Sequence, residues 1–290
     1  MKFLRYILGL GLILVTLSTG AQTPILGQVT PGTYVPVQVN AGGLLVGYGL
    51  GEAIGFSDVP NLRRVTALGF NPDIDVATIP EDVWPGGGLY PWLTVATSLE
   101  IVSTSVADAA AGTGARTFQV GCLDAAYVET TEIVTLNGVT AVPLTKQCLR
   151  INSLVLLTAG TGKTNAGDVS VRDAGGGTVR SIAPAGYGLS RQAIYTVPAG
   201  YTLQIISIYI AGLAATGATT NFDVSTFTQT STGVYRLPIT LTTGSTGVYR
   251  HDGIPGIILA EKTDFALRVT FANLNNTIVT AAFLGIMKKN

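Results

Sequence analysis

From Thr97 to the C-terminus, apolar and polar residues alternate in short runs separated by glycine. A period of two is the mark of a strand with one buried face, since successive side chains point to opposite sides of a sheet. Such runs cover Thr97–Thr104, Ala115–Cys122, Glu132–Leu136, Gln147–Leu157 and Asp168–Arg172. They resume at Ala193–Val197, Tyr201–Ala211, Asn221–Thr228, Gly233–Thr240, Gly247–Arg250, Phe265–Phe271 and Thr277–Phe283. Turn signals lie between them: Ala111-Gly112-Thr113-Gly114, Asn137-Gly138, the glycines at 160 and 162, and Pro198-Ala199-Gly200. Asn137-Gly138 between two β-type triplets is a hairpin signal, because a tight turn there needs positive φ. Strands with turns every ten or so residues predict an all-β protein, a jelly-roll-like antiparallel β-sandwich. Residues 65–290 form one large sandwich or two smaller ones, 65–174 and 175–290, with a seam near Ala174-Gly175-Gly176-Gly177. The pair Ser231–Arg236 and Ser245–Arg250, both reading STGVYR, predicts successive strands of one meander with tyrosines on similar faces.

One stretch breaks the pattern. Residues Asn71–Trp92, NPDIDVATIPEDVWPGGGLYPW, hold four prolines and three consecutive glycines. Neither a helix interior nor a central strand tolerates that composition. It predicts a long ordered loop, pinned by Trp84, Tyr90 and Trp92, which also serve as candidate contacts for a partner or ligand. Its carboxylates, Asp73, Asp75, Glu81 and Asp82, are candidates for turn capping or for Ca²⁺, which accepts oxygen ligands from irregular loops. Paired carboxylates beside two tryptophans also fit glycan hydrolysis, with the indoles stacking on sugar, but an enzyme is not the expectation. No cofactor is required by any of these readings beyond Ca²⁺.

The N-terminus has its own pattern. In residues 1–21, Lys2 and Arg5 precede the apolar run Tyr6–Leu17, and Ser18-Thr19-Gly20-Ala21 supplies small residues before Gln22. This predicts an apolar helix acting as a secretory signal peptide cleaved before Gln22, or an uncleaved anchor in contact with a membrane or partner subunits. Residues 22–64 are rich in proline and glycine and predict an extended arm with one edge strand at Tyr34–Val39, since Pro36 disfavours a central position.

Composition narrows the function classes. Seventeen basic and seventeen acidic residues give a formal net charge of zero, so there is no electrostatic footprint for nucleic acid. The two cysteines, Cys122 and Cys148, each fall in a predicted strand and form either one disulfide between neighbouring strands or two buried thiols. Neither has a second ligand at zinc spacing. Gly160-Thr161-Gly162-Lys163-Thr164 resembles the end of a phosphate-binding loop, but the required first glycine falls on Leu157 and no helix follows, so it predicts a turn. His251, the only histidine, sits in a turn-like context without a nucleophile elbow.

Read together, PEDVW-GG-Y-W, then AGTGAR, TLNG and YTVPAG, over roughly Thr66 to Met287, resemble virion structural proteins of tailed bacteriophages. The resemblance implies a β-rich particle component, such as a capsid decoration, head-fibre or tail-associated protein. It names no catalytic residue. The function expected is non-enzymatic assembly of a homo-oligomer with other virion proteins, located in the virion. The alternative is an exported β-sandwich, periplasmic, outer-surface or extracellular, that binds carbohydrate or a cell surface through Trp84, Tyr90 and Trp92.

Overall fold

The computed structural model describes residues 61–214, 220–230, 233, 235–236, 239–244, 248–252 and 257–290, and five short strands before residue 61. The chain divides into two compact units, Met1–Pro60 and Asn61–Asn290. In the first, β1 (Arg5–Ile7) pairs antiparallel with β2 (Leu12–Leu14), where a helix was expected. The rest of 1–21, and with it the proposed cleavage site, lies outside the described residues. The arm contains three strands rather than one: β3 (Ile25–Thr30), β4 (Thr33–Val39) and β5 (Leu45–Val46), in that order in one sheet, so β4, expected at an edge because of Pro36, is the middle strand. Among the described residues no helix is long and apolar enough to cross a membrane.

The second unit is all-β and holds two sandwiches, one inserted in the other. The chain enters the larger with β6 (Leu62–Ile74) and β7 (Glu81–Asp82). It then leaves to build the smaller from β8 (Thr97–Ser103), β9 (Ala115–Leu123), β10 (Glu129–Thr135), β11 (Val142–Cys148), β12 (Arg150–Ala159), β13 (Val169–Asp173) and β14 (Val179–Ala183). It returns with β15 (Ile194–Thr196), β16 (Tyr201–Ala214), β17 (Asn221–Gln229), β18 (Tyr235–Arg236), β19 (Thr240–Gly244), β20 (Val248–Asp252), β21 (Ile258–Leu259), β22 (Asp264–Ala272) and β23 (Thr277–Lys289). The seam therefore lies before β8 and after β14. Gly175 and Gly176, expected at a domain boundary, have φ of 84° and 83° and form the turn of the β13–β14 hairpin.

In the smaller sandwich, the sheet β10-β9-β12 faces β11-β8-β13-β14. Phe118, Val120 and Leu154 from the first meet Leu99, Ile101 and Val171 from the second. Asn137-Gly138 makes the positive-φ turn that its sequence predicts, but the strands on either side, β10 and β11, belong to opposite sheets. The turn is a corner, because both flanking strands bury their apolar faces in the same core from opposite sides. The 160–163 glycine turn likewise joins β12 of one sheet to β13 of the other, and packs on Gly112–Gly114 through Gly160 N–H to Gly114 O at 2.7 Å.

In the larger sandwich, β20-β16-β23-β6 faces β15-β22-β17-β18, with β21 on β16, β19 on β17 and β7 on β22. β23 alternates cleanly, burying Val279, Ala281, Phe283 and Met287. Its partner β16 buries Leu203 and Ile205 and then Ile208 and Ile210, a change of phase. The register slips there: Ile205 faces Gly285 and Ser207 faces Leu284, so Ile206 is the extra residue of a β-bulge. The described parts of the two STGVYR copies do not share a sheet: β18 pairs with β17, while β20 crosses to β16. His251 lies within β20 opposite Ile208 rather than in a turn, and its side chain is outside the described residues.

Candidate functional site

Of the stretch Asn71–Trp92 expected to be a loop, Asn71–Ile74 are the end of β6, paired with β23; the loop proper starts at Asp75 and lies where the two sandwiches meet. Its short strand β7 pairs with β22, setting Asp82 opposite Arg268. Asp82 is fully buried; its Oδ1 accepts from Arg268 Nε at 2.7 Å and its Oδ2 from Tyr90 N–H at 2.7 Å. Glu81 Oε2 accepts from Asn71 Nδ2 and Gly88 N–H, and Oε1 from the Thr78 hydroxyl. Asp75 accepts from Asn276 N–H, while at the exposed Asp73 it is the backbone N–H that bonds, donating to Asn71 Oδ1. Every oxygen of Glu81 and Asp82 thus faces a protein donor, which is the arrangement of turn caps and an ion pair. Among the described residues no three His, Cys, Asp or Glu side chains gather as metal ligands would.

The aromatics stack in sequence. Tyr90 stands edge-on to Trp84, centroids 5.2 Å apart, and to Trp92, 4.7 Å apart. Trp84 and Tyr90 are buried with Ile194, Phe227 and Ala266 in a third small core, against which Trp92 and Val179 pack. Trp84 donates its indole N–H to Gly87 O and Gly88 O. The ring covers Gly86 so closely that a Cβ there would lie 2.3 Å from it, which accounts for a glycine at that point in the loop. The Tyr90 hydroxyl donates to Arg180 O of β14, tying the loop to the smaller sandwich, and burial pushes its pKa well above the usual phenol value. These rings bind the molecule's own halves together.

Arginines complete the junction. Arg150 at the start of β12 makes a bidentate pair with Asp264 at the start of β22, both bonds 2.8 Å, and also donates to Leu93 O. The two side chains are 8% and 4% exposed. Burial alone would lower the Arg150 pKa; the Asp264 carboxylate outweighs it and leaves the guanidinium above its ordinary value. Arg180 pairs with Asp173 and donates to Pro91 O. Asp264, Ala266 and Arg268 stand at alternate positions of β22, so one face of that strand meets Arg150, the aromatic cluster and Asp82. Neither Arg150 nor Asp264 is marked by its sequence neighbours, since their pairing spans 114 residues.

Cys122 and Cys148 form a disulfide. It joins β9 to β11 across the two sheets of the smaller sandwich rather than linking neighbouring strands. Asp108, unremarked in its Ala-rich run, is fully buried and knots three segments: Oδ1 accepts from Ala115 and Ala166 N–H, Oδ2 from Ser103 Oγ and Gly167 N–H.

A cleft of about 380 Å³ opens between β6 of the larger sandwich and the β10-β9-β12 sheet of the smaller. Arg63 and Arg64 line one wall, Glu129, Thr130 and Thr131 another, with Gly121 and Ser153 as floor. Arg63 is held by Glu129 and lies 5.0 Å above the Tyr201 ring.

No family model matches the chain, and no curated protein does. Two solved structures align weakly. The crystal structure of the infectious bursal disease virus VP2 subviral particle is 11% identical over 79% of this chain and 80% of that one, with a TM-score of 0.10. The structure of the infectious bursal disease virus Gt strain is 12% identical over 83% and 87%, also with a TM-score of 0.10. Alignments at that score carry no argument about fold or function.

Proposed function

We propose that the protein is a non-enzymatic structural component of a bacteriophage virion, a jelly-roll-like capsid decoration, fibre or spike protein that acts by subunit assembly. The ordered motifs over Thr66–Met287 supply the class. The observation that supports assembly is an apolar row on the outer face of the β10-β9-β12 sheet. Ile133 (65% exposed) and Val155 (41%) flank Gln119 in register, and Val155 bridges to Leu189 (41%), with Leu157 beside them. Contiguous exposed aliphatic groups on a folded surface mark contact sites, and zero net charge adds no long-range repulsion between copies. The carbohydrate alternative relied on displayed rings; Trp84 and Tyr90 are buried and Trp92 packs against them, so no observation favours these rings as a sugar platform.

The test has two parts. Peptide mass mapping of nuclease-treated, density-purified particles should find this chain, including peptides before Gln22. Sedimentation of the purified protein should show self-association that Val155→Asp or Ile133→Asp abolishes without lowering the melting temperature. A chain recovered only from envelope or medium, beginning at Gln22, and monomeric in solution would end the virion reading.

A further inference from the structure

The cleft between β6 and the β10-β9-β12 sheet is not used by the junction or by the apolar row. Its chemistry is specific. Arg63 and Glu129 neutralise each other, which leaves Arg64 as the uncompensated charge. Arg64 is exposed on the outer face of β6 and has no carboxylate or carbonyl partner among the described residues. Thr66, two residues on, shares that face. Across the cleft, Thr131, Gly121 and Ser153 stand side by side in register on three strands. The hydroxyls of Thr66, Thr131 and Ser153 have no hydrogen-bond partner among the described residues, and Thr130 Oγ1 is shut from solvent and equally unpaired. Gly121 makes room for the Ser153 side chain, whose Oγ would lie only 2.2 Å from a Cβ at that position.

We propose that this cleft binds an acidic sugar, its carboxylate on the Arg64 guanidinium and its ring hydroxyls on Thr66, Thr131 and Ser153. A guanidinium presents a planar fork of donors that matches a carboxylate bidentately. Serine and threonine hydroxyls both donate and accept, as sugar hydroxyls do, so each can satisfy the other in either direction. The volume separates this ligand from a bare inorganic anion. About 380 Å³ is at the lower end of small-molecule pockets and suits one monosaccharide, whereas a single sulfate would leave most of the hydroxyls unserved. The inference is independent of virion assembly: it concerns a site on each copy, exported or particle-borne.

The experiment titrates the full chain with sodium glucuronate, glucose and sodium sulfate, read by calorimetry and by saturation transfer to sugar protons. Glucuronate is expected to bind saturably, glucose at least tenfold more weakly, and sulfate without competing at equal concentration. Arg64→Gln should weaken glucuronate about tenfold, the scale of one charge-assisted bidentate contact. Ser153→Ala should weaken glucuronate and glucose alike. Both side chains lack hydrogen-bond partners, so near-ultraviolet circular dichroism and melting temperature should be unchanged. Repeating the titration on Val155→Asp reads sugar binding apart from self-association. The proposal is overturned if glucuronate fails to bind, if sulfate binds as tightly as glucuronate, or if Arg64→Gln changes nothing.

Discussion

Glu100 shows how much a single side chain can depend on partners remote in sequence. Its carboxylate, on β8, accepts from Gly175 and Gly176 N–H at 3.0 Å and from Arg172 Nε at 2.7 Å. The Gly175 bond first, and then the Arg172 pair, lower its pKa below the ordinary glutamate value. A depressed carboxylate adds stability that is complete above the unfolded-state pKa and is lost as pH falls through the folded-state value. The melting temperature of the wild type should therefore exceed that of Glu100→Gln near neutrality, and the gap should close as pH drops below about 4. A gap that is constant across that range would mean the charge is not what holds the β13–β14 turn. In the sequence, Glu100 is one more polar residue in a strand. The glycines it caps read in the sequence as a seam between domains, not as a turn, and their hydrogen-bond acceptor lies 75 residues away.

At the level of elements, strands were legible and their sheets were not. The alternation that marks β23, β9 and β13 is local, a property of which face is wet. Which strands share a sheet depends on the partner across the core, and the corners at Asn137-Gly138 and Gly160–Gly162 look in sequence like hairpins. β16 shows the limit in another way: its run of isoleucines reads as a continuous apolar strand, and only the bulge at Ile206 explains why both Ile205 and Ile208 are buried. The disulfide belongs to this scale. With its ends 26 positions apart in sequence, it ties the two sheets of the smaller sandwich. Its removal in Cys122→Ala/Cys148→Ala should cost about 3 kcal/mol, seen as a lower urea midpoint, and reductant should move the wild type to the same value. A wild type indifferent to reductant would contradict the bridge.

The second unit holds together because charge and aromatic packing coincide at one face of β22. Breaking the Arg150–Asp264 pair from one side leaves a buried, unpaired carboxylate, a loss of about 3–5 kcal/mol. Arg150→Ala should accordingly split a single calorimetric transition for residues 61–290 into two, with the smaller sandwich separating from the larger. One cooperative transition at an unchanged temperature would show that the aromatic cluster suffices alone.

The sequence by itself determined the β class, the interruption at Asn71–Trp92, the burial-prone rings within it and the positions of most turns. Each of these follows from local physics: side-chain alternation, the backbone limits of proline, and the positive φ that glycine allows. Only the tertiary structure decided that the smaller sandwich is an insertion, that the cysteines bridge opposite sheets, and that Trp84 and Tyr90 face inward. It also decided that Arg64 and three unpaired hydroxyls meet across one cleft. These depend on contacts between strands far apart in the chain, whose energies come from burial and pairing that no local pattern encodes.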